Sequence, residues 1–156
     1  MIPEKVYQII RFFAETLQPW KTKLNKLLFY ADFLHYKFYG TSISGLKYAA
    51  IDHGPVPNDY ALLLSSGEKK DFFDIVYQEA GEDIIGEKII PSPRTSFNSD
   101  LFTEEEKKIM DHIANRFRNV TASELVKMTH KEKAWQENVK RKAIIDYSYG
   151  FELINI

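Results

Sequence analysis

The sequence predicts an α+β fold, a mainly helical single domain over residues 1–156 with a small antiparallel sheet. Three observations carry this. Apolar residues recur at helical spacing near the start of the chain and again over 103–130, where Thr103…Glu106 and Thr121…Glu124 have the spacing of capping boxes. Two strand-like runs, 72–77 and 83–90, flank a turn at Ala80, Gly81 and Glu82 and read as a hairpin. No repeat, low-complexity run or clear domain boundary interrupts the chain, and a domain of this size buries about two thirds of its unfolded surface in one core.

The elements follow in order. Val6, Ile9, Ile10, Phe13 and Leu17 mark a first helix, with Pro3 suited to its opening turn. Gln18, Pro19 and Trp20 break the pattern. A second helix is expected from Thr22 as N-cap to Gly40 as C-terminal stop. Leu24, Leu27, Leu28, Ala31 and Leu34 form one apolar face, while Phe29, Phe33 and Tyr36 are spread over the others. A helix apolar nearly all round is central in its fold. Residues 46–52 suit a short strand and 53–57 a turn stiffened by Gly54, Pro55 and Pro57. Asn58 is placed to cap a brief helix through Leu64, stopped by Ser65, Ser66 and Gly67. The hairpin and a loop over 91–100 come next. The two capping boxes open helices reaching Arg118 and about residue 130, and 144–154 reads as a last strand, giving about six helical segments in all.

Composition narrows the function. A formal net charge of −1 argues against a general polyanion binder. With no cysteine, the chain has no disulfide, no thiolate nucleophile and no cysteine-based zinc site, which suits a reducing cytoplasm. The N-terminus does not read as a signal peptide, and no apolar run approaches the ~20 residues of a membrane span. Phosphate-binding glycine loops and paired metal-ligand histidines are absent, so no motif calls for a cofactor or a metal. The basic stretch Lys131, Lys133, Lys140, Arg141 and Lys142 is diluted by Glu132 and Glu137 and reads as a solvated face.

Three stretches place polar or conformationally special residues where simple packing does not need them. Lys21, Lys23 and Lys26 crowd the start of the second helix, either attracting an acidic partner or lying solvated at a cost of about a few tenths of a kcal/mol. Asn25, Asp32 and His35 share that helix. Asp32 and His35, three apart, could poise a general base but have no nucleophile or metal beside them in sequence, and read as a hydrogen-bonded structural pair. The rigid 53–57 turn presents Asn58, Asp59 and Tyr60, or only steers the chain into the next helix. His130 and Trp135 read as the closure of a core edge. None of these amounts to a catalytic site, and the expectation is a binding module rather than an enzyme.

Taken together, Lys23 through Asp32 with His35, then Gly54, Pro55 and Val56 leading to Tyr60, then Ser123 through His130 with Trp135, resemble the Panacea domain, the family that includes SocA-type antitoxins and phage-associated proteins. The resemblance spans roughly residues 5 to 140. It implies a mixed helical and small-sheet domain that neutralises a co-encoded protein toxin in the cytoplasm, in the SocA branch as an adaptor delivering the toxin to ClpXP. Family members also occur downstream of zinc-ribbon and helix-turn-helix segments similar to those of the MqsA antitoxins. The chain is therefore either a stand-alone member or the C-terminal part of a longer regulator, and DNA contact is expected only through a segment not present in it. Pro57, Asn58 and Asp59 depart from the family's more apolar stretch before Tyr60.

On this reading Leu24, Leu27, Tyr30 and Ala31 build the core. Asn25, Asp32 and His35 tie the second helix to the Gly54–Tyr60 turn and to His130, and Lys23, Lys26, Asp59 and Tyr60 are the partner contacts. The rival readings are a partner-sensing domain of a DNA-binding regulator, and a hydrolase in which Asp32, His35 or His130 converge on an open pocket.

Overall fold

The structure, a computed structural model, describes residues 1–156. Helix α1 (Glu4–Leu17) buries the predicted apolar face and ends at Gln18, whose left-handed backbone returns its N–H to Ala14. Helix α2 (Lys21–Tyr39) begins one residue before the expected cap. Trp20 occupies the N-cap position with no side-chain capping bond, and Thr22 lies exposed in the first turn. A tertiary contact sets this start instead: the Pro19 carbonyl accepts the Ile89 N–H at 2.9 Å and Trp20 pairs with Lys88, holding the chain extended up to the helix. Gly40 ends α2 at φ +75° with its N–H on Tyr36, as expected. Every residue from Lys23 to His35 is buried, so α2 is the axis of the fold.

Strands β1 (Tyr48–Ile51) and β2 (Gly54–Pro57) form a small antiparallel hairpin, so the segment expected as a turn is itself a strand. Helix α3 (Tyr60–Lys69) starts after Asp59 and runs through Ser65, Ser66 and Gly67, which do not stop it. With no side chain at Gly67, the rings of Phe73 and Tyr7 lie against the helix there. Asn58 does not cap α3; its N–H bonds the Lys47 carbonyl across the hairpin.

The second hairpin, β3 (Phe73–Gly81) and β4 (Ile84–Pro91), is longer than the sequence runs indicated. It turns at Glu82 and Asp83, with an irregularity between Glu79 and Gly81. Helices α4 (Glu104–Phe117) and α5 (Ala122–His130) open on complete capping boxes: Thr103 and Thr121 accept the N–H three residues on, and Glu106 and Glu124 accept in return. A single-turn helix α6 (Lys133–Gln136) follows.

The tail is not a strand. Its backbone touches β1 only at Ile144 and its neighbours, then winds into a 3-10 turn (Tyr147–Glu152) lying on the C-terminal half of α2. Aromatic contacts anchor this path: Tyr147 packs against Phe33 at 4.7 Å and Tyr36 at 5.7 Å between ring centres. Thus α2 is enclosed by α1, α4, α5, β2, β4 and the tail, giving the mainly helical α+β domain expected.

Candidate functional site

Most polar groups of α2 are turned inward and bonded to other elements. Lys23 donates from Nζ to the Phe117 and Val120 carbonyls, both at 2.7 Å, at the end of α4 and in the link that follows it. An ammonium there meets the negative end of the helix dipole. Lys26 is 1% exposed and donates to the Pro55 carbonyl at 3.0 Å. Burial without a carboxylate partner brings its pKa down to about 7. Tyr60 is buried as well, its hydroxyl on the Lys21 carbonyl at 2.7 Å.

Of the four expected partner contacts, only Asp59 is exposed. For Lys23, Lys26 and Tyr60 the expectation of a surface position is corrected. The 23–35 part of α2 is enclosed, so its lysines end on backbone carbonyls, and Tyr60, at the start of α3, ends on the Lys21 carbonyl.

Asp32 is fully enclosed and accepts from the Ile43 and Ser44 amides at 2.9 Å and from the Ser44 and Tyr48 hydroxyls. Burial raises its carboxyl pKa, and these donors pull it partly back. His35 pairs through Nδ1 with the Thr41 carbonyl. Both residues organise the 41–48 segment, so their expected link to the Gly54–Tyr60 turn and to His130 is corrected. Asn25 makes no such tie, and its Oδ1 is buried without a partner.

Lys26 is the residue that reaches the turn. Gly54 stands at φ +112°, where a Cβ would lie 2.8 Å from both Lys26 Cε and Thr129 Oγ1. His130 stacks on Trp135 with ring centres 4.0 Å apart, and Trp135 Nε1 donates to the Ile51 carbonyl at 2.6 Å. The His130 pKa is lowered, first by burial and then by the nearby Lys26 charge. Lys26, Gly54, Pro55, half-buried Val56, Thr129, His130 and Trp135 therefore form one interior junction of α2, β1, β2, α5 and α6, and the three sequence motifs meet there.

Two buried ionic residues were not legible as such. Glu132 accepts from Tyr30 Oη at 2.9 Å, from the Ile154 amide at 2.8 Å and from Asn155 Nδ2 at 2.9 Å, fastening the tail beneath α2. Arg11 donates to the Phe72, Ser92 and Thr95 carbonyls and to Thr95 Oγ1. Apart from the i,i+4 contact of Arg11 with Glu15 at 3.4 Å, the partners lie tens of residues away and no local spacing announces them.

Chemically, the junction is held by hydrogen bonds from Lys26 and Trp135 to backbone carbonyls and by ring stacking, with His130 Nε2 buried without a partner. Asp32, His35 and His130 each bond or stack with a different neighbour, and none bonds another. No three His, Asp or Glu residues are grouped to hold a metal. The surface offers more. Tyr77, Ile84 and Ile85 on the outer hairpin are 75%, 60% and 70% exposed. Grooves of about 280 and 510 Å³ flank them, one against α3 and one between Trp20 and the start of α5. A second apolar area holds Phe38 at the end of α2, with Phe151 and Ile154 exposed on the tail.

The fold and its junction define an α+β domain built on a buried, lysine-bearing central helix that is locked to a Gly-Pro strand and to a Thr-His helix end. The chain belongs to the family described as antitoxin SocA-like, Panacea domain, which matches residues 24–136. The match runs from α2 to α6 and contains the whole junction, leaving α1 and the tail outside. No curated protein and no solved structure matches the chain. Membership carries an antitoxin-like role, with a toxin as partner in the general sense. No helix is long and apolar enough to cross a membrane.

Proposed function

We propose that the protein neutralises a co-encoded toxin in the cytoplasm by binding it directly, without catalysis. Occlusion of the toxin is the primary effect, and delivery to a protease such as ClpXP is a further route. The observation that carries this reading is the family match over 24–136, which takes in every residue of the junction. The junction and the helix above it support the non-catalytic part: Lys26 and Trp135 donate to backbone carbonyls, and Asp32 and His35 hold the 41–48 segment, as a binding scaffold requires. Such a scaffold loses little conformational entropy on association, which favours tight capture.

The test is co-expression with the product of the adjacent gene. The expected result is growth rescue by this protein and stoichiometric co-purification of the two chains. An untouched growth defect, with no neighbour product retained on the tagged protein, would overturn the reading. Rescue with rapid loss of the neighbour product, abolished in a strain lacking ClpXP, would assign the protease route.

A further inference from the structure

Resting on that reading, we infer that the toxin docks on the outer half of the β3–β4 hairpin, presenting a basic face with an apolar centre and adding a strand along the open β3 edge.

The root of the hairpin is firmly held. Ile89 N–H bonds the Pro19 carbonyl, Ile75 N–H bonds Glu68 Oε2 at 2.7 Å, and Arg11 grips the Phe72 and Ser92 carbonyls on either side. Trp20 lies under Gly86, where a Cβ would stand 2.9 Å from its ring, and the Lys88 ammonium sits 5.2 Å from the ring centre. Beyond this anchor the strands leave the body of the protein.

Register shows what the outer half presents. Ile75 pairs with Ile89, Tyr77 with Glu87, and Glu79 with Ile85, so these six side chains share one face. At the root, Ile89 is fully buried and Ile75 partly so. Further out the same face carries Tyr77 and Ile85 into solvent. It is a core face that runs past the core. The backbone is open there too. Ile75 and Ile89 send their N–H groups outward to Glu68 and Pro19, so by the antiparallel alternation Tyr77, the next such position, also points its N–H and C=O outward. No side chain hydrogen-bonds them, and an unpaired edge with an apolar face is a template for strand addition.

Charge selects the occupant. The hairpin carries Asp74, Glu79, Glu82, Asp83 and Glu87 against a single lysine, Lys88, in a chain whose net charge is only −1. Of the five, only Glu87 has an ion-pair partner, Lys21 at 3.5 Å. Unpaired acids around an apolar centre repel a second hairpin of the same kind and attract lysine- and arginine-rich protein. The partner is therefore a basic protein rather than another copy of this chain.

The test uses the full chain co-expressed with the adjacent gene product, in two variants built only on exposed side chains. One is Tyr77→Ser with Ile85→Ser; the other is Glu79→Lys, Glu82→Lys and Asp83→Lys. Both should melt like the wild type yet lose growth rescue and capture the neighbour product at least about tenfold more weakly. Wild-type capture should also weaken between about 50 and 500 mM salt. Variants that rescue and capture like the wild type overturn this inference and leave the antitoxin reading standing. A wild-type chain that rescues nothing overturns both. A wild-type self-association that the variants abolish would give the surface to a second copy and overturn the basic partner.

Discussion

Replacing Lys26 by Met isolates the energetics of the junction. The Lys26 pKa falls from the ordinary 10.5 to about 7 because the fold strips water from the ammonium and supplies only the Pro55 carbonyl. The charged form is thus disfavoured in the folded state. Between about pH 7 and 10.5 the unfolded chain holds a proton there that the folded chain has released, so stability rises with pH across this window. The penalty is fully present below the folded pKa and is relieved as pH climbs through the window. One proton is worth about 1.4 kcal/mol per pH unit, so the wild type should gain roughly 2–3 kcal/mol from this site between about pH 7.5 and 9.5.

Met keeps the buried stem and removes both the ionisation and the donor to Pro55, an omission worth about 1–3 kcal/mol. The variant should lose this site's pH dependence. It should therefore be more destabilised, relative to the wild type, at the alkaline end than near neutrality. Lys23, also lowered by burial, adds a slope of the same sign to both proteins, and the difference between them cancels it. The buried tyrosines, raised by burial, act with the opposite sign only near and above about pH 10, where unfolded tyrosines ionise. The assay is urea unfolding followed by circular dichroism at three pH values. Parallel stability-versus-pH curves for the wild type and Lys26→Met would mean that Lys26 keeps its proton in the folded protein across this window.

Other consequences follow from the same contacts. Gly54→Ala forces an L side chain to φ +112° and against Lys26 and Thr129, so it should cost more than about 2 kcal/mol in thermal or chemical unfolding. A change within a few tenths would show that the junction yields. Glu132→Gln keeps the shape but removes the anion that Tyr30, Ile154 and Asn155 share, for a loss of about 1–3 kcal/mol. Hydrogen exchange at the Ile154 and Asn155 amides should accelerate ahead of the rest of the chain, and unchanged protection there would count against this role for Glu132.

Residues whose partners lie within one turn were legible from the sequence. Thr103 and Thr121 each sit three residues before the glutamate that completes the capping box, and Gly40 closes the helix whose all-round apolar pattern marks it as central. The existence of the second hairpin was legible from two strand-like runs around a turn, though not its full length, and the family motifs from their order along the chain. The limits of α3 and of the tail were not, because Gly67 packs under Tyr7 as well as Phe73, and Tyr147 packs on Phe33; Tyr7 and Phe33 are distant in sequence from the residues they meet.

The central lysines mark the boundary between the two kinds of information. By itself the sequence determined that α2 is central and that Lys23 and Lys26 lie on it. A lysine is expected at the surface because desolvating its charge is costly. The folded arrangement turns both inward by bringing the Phe117 and Val120 carbonyls, and the Pro55 carbonyl, to within hydrogen-bond reach. Whether a polar side chain turns inward depends on which acceptors the rest of the chain delivers to it, and those lay 29 residues away for Lys26 and 94 for Lys23.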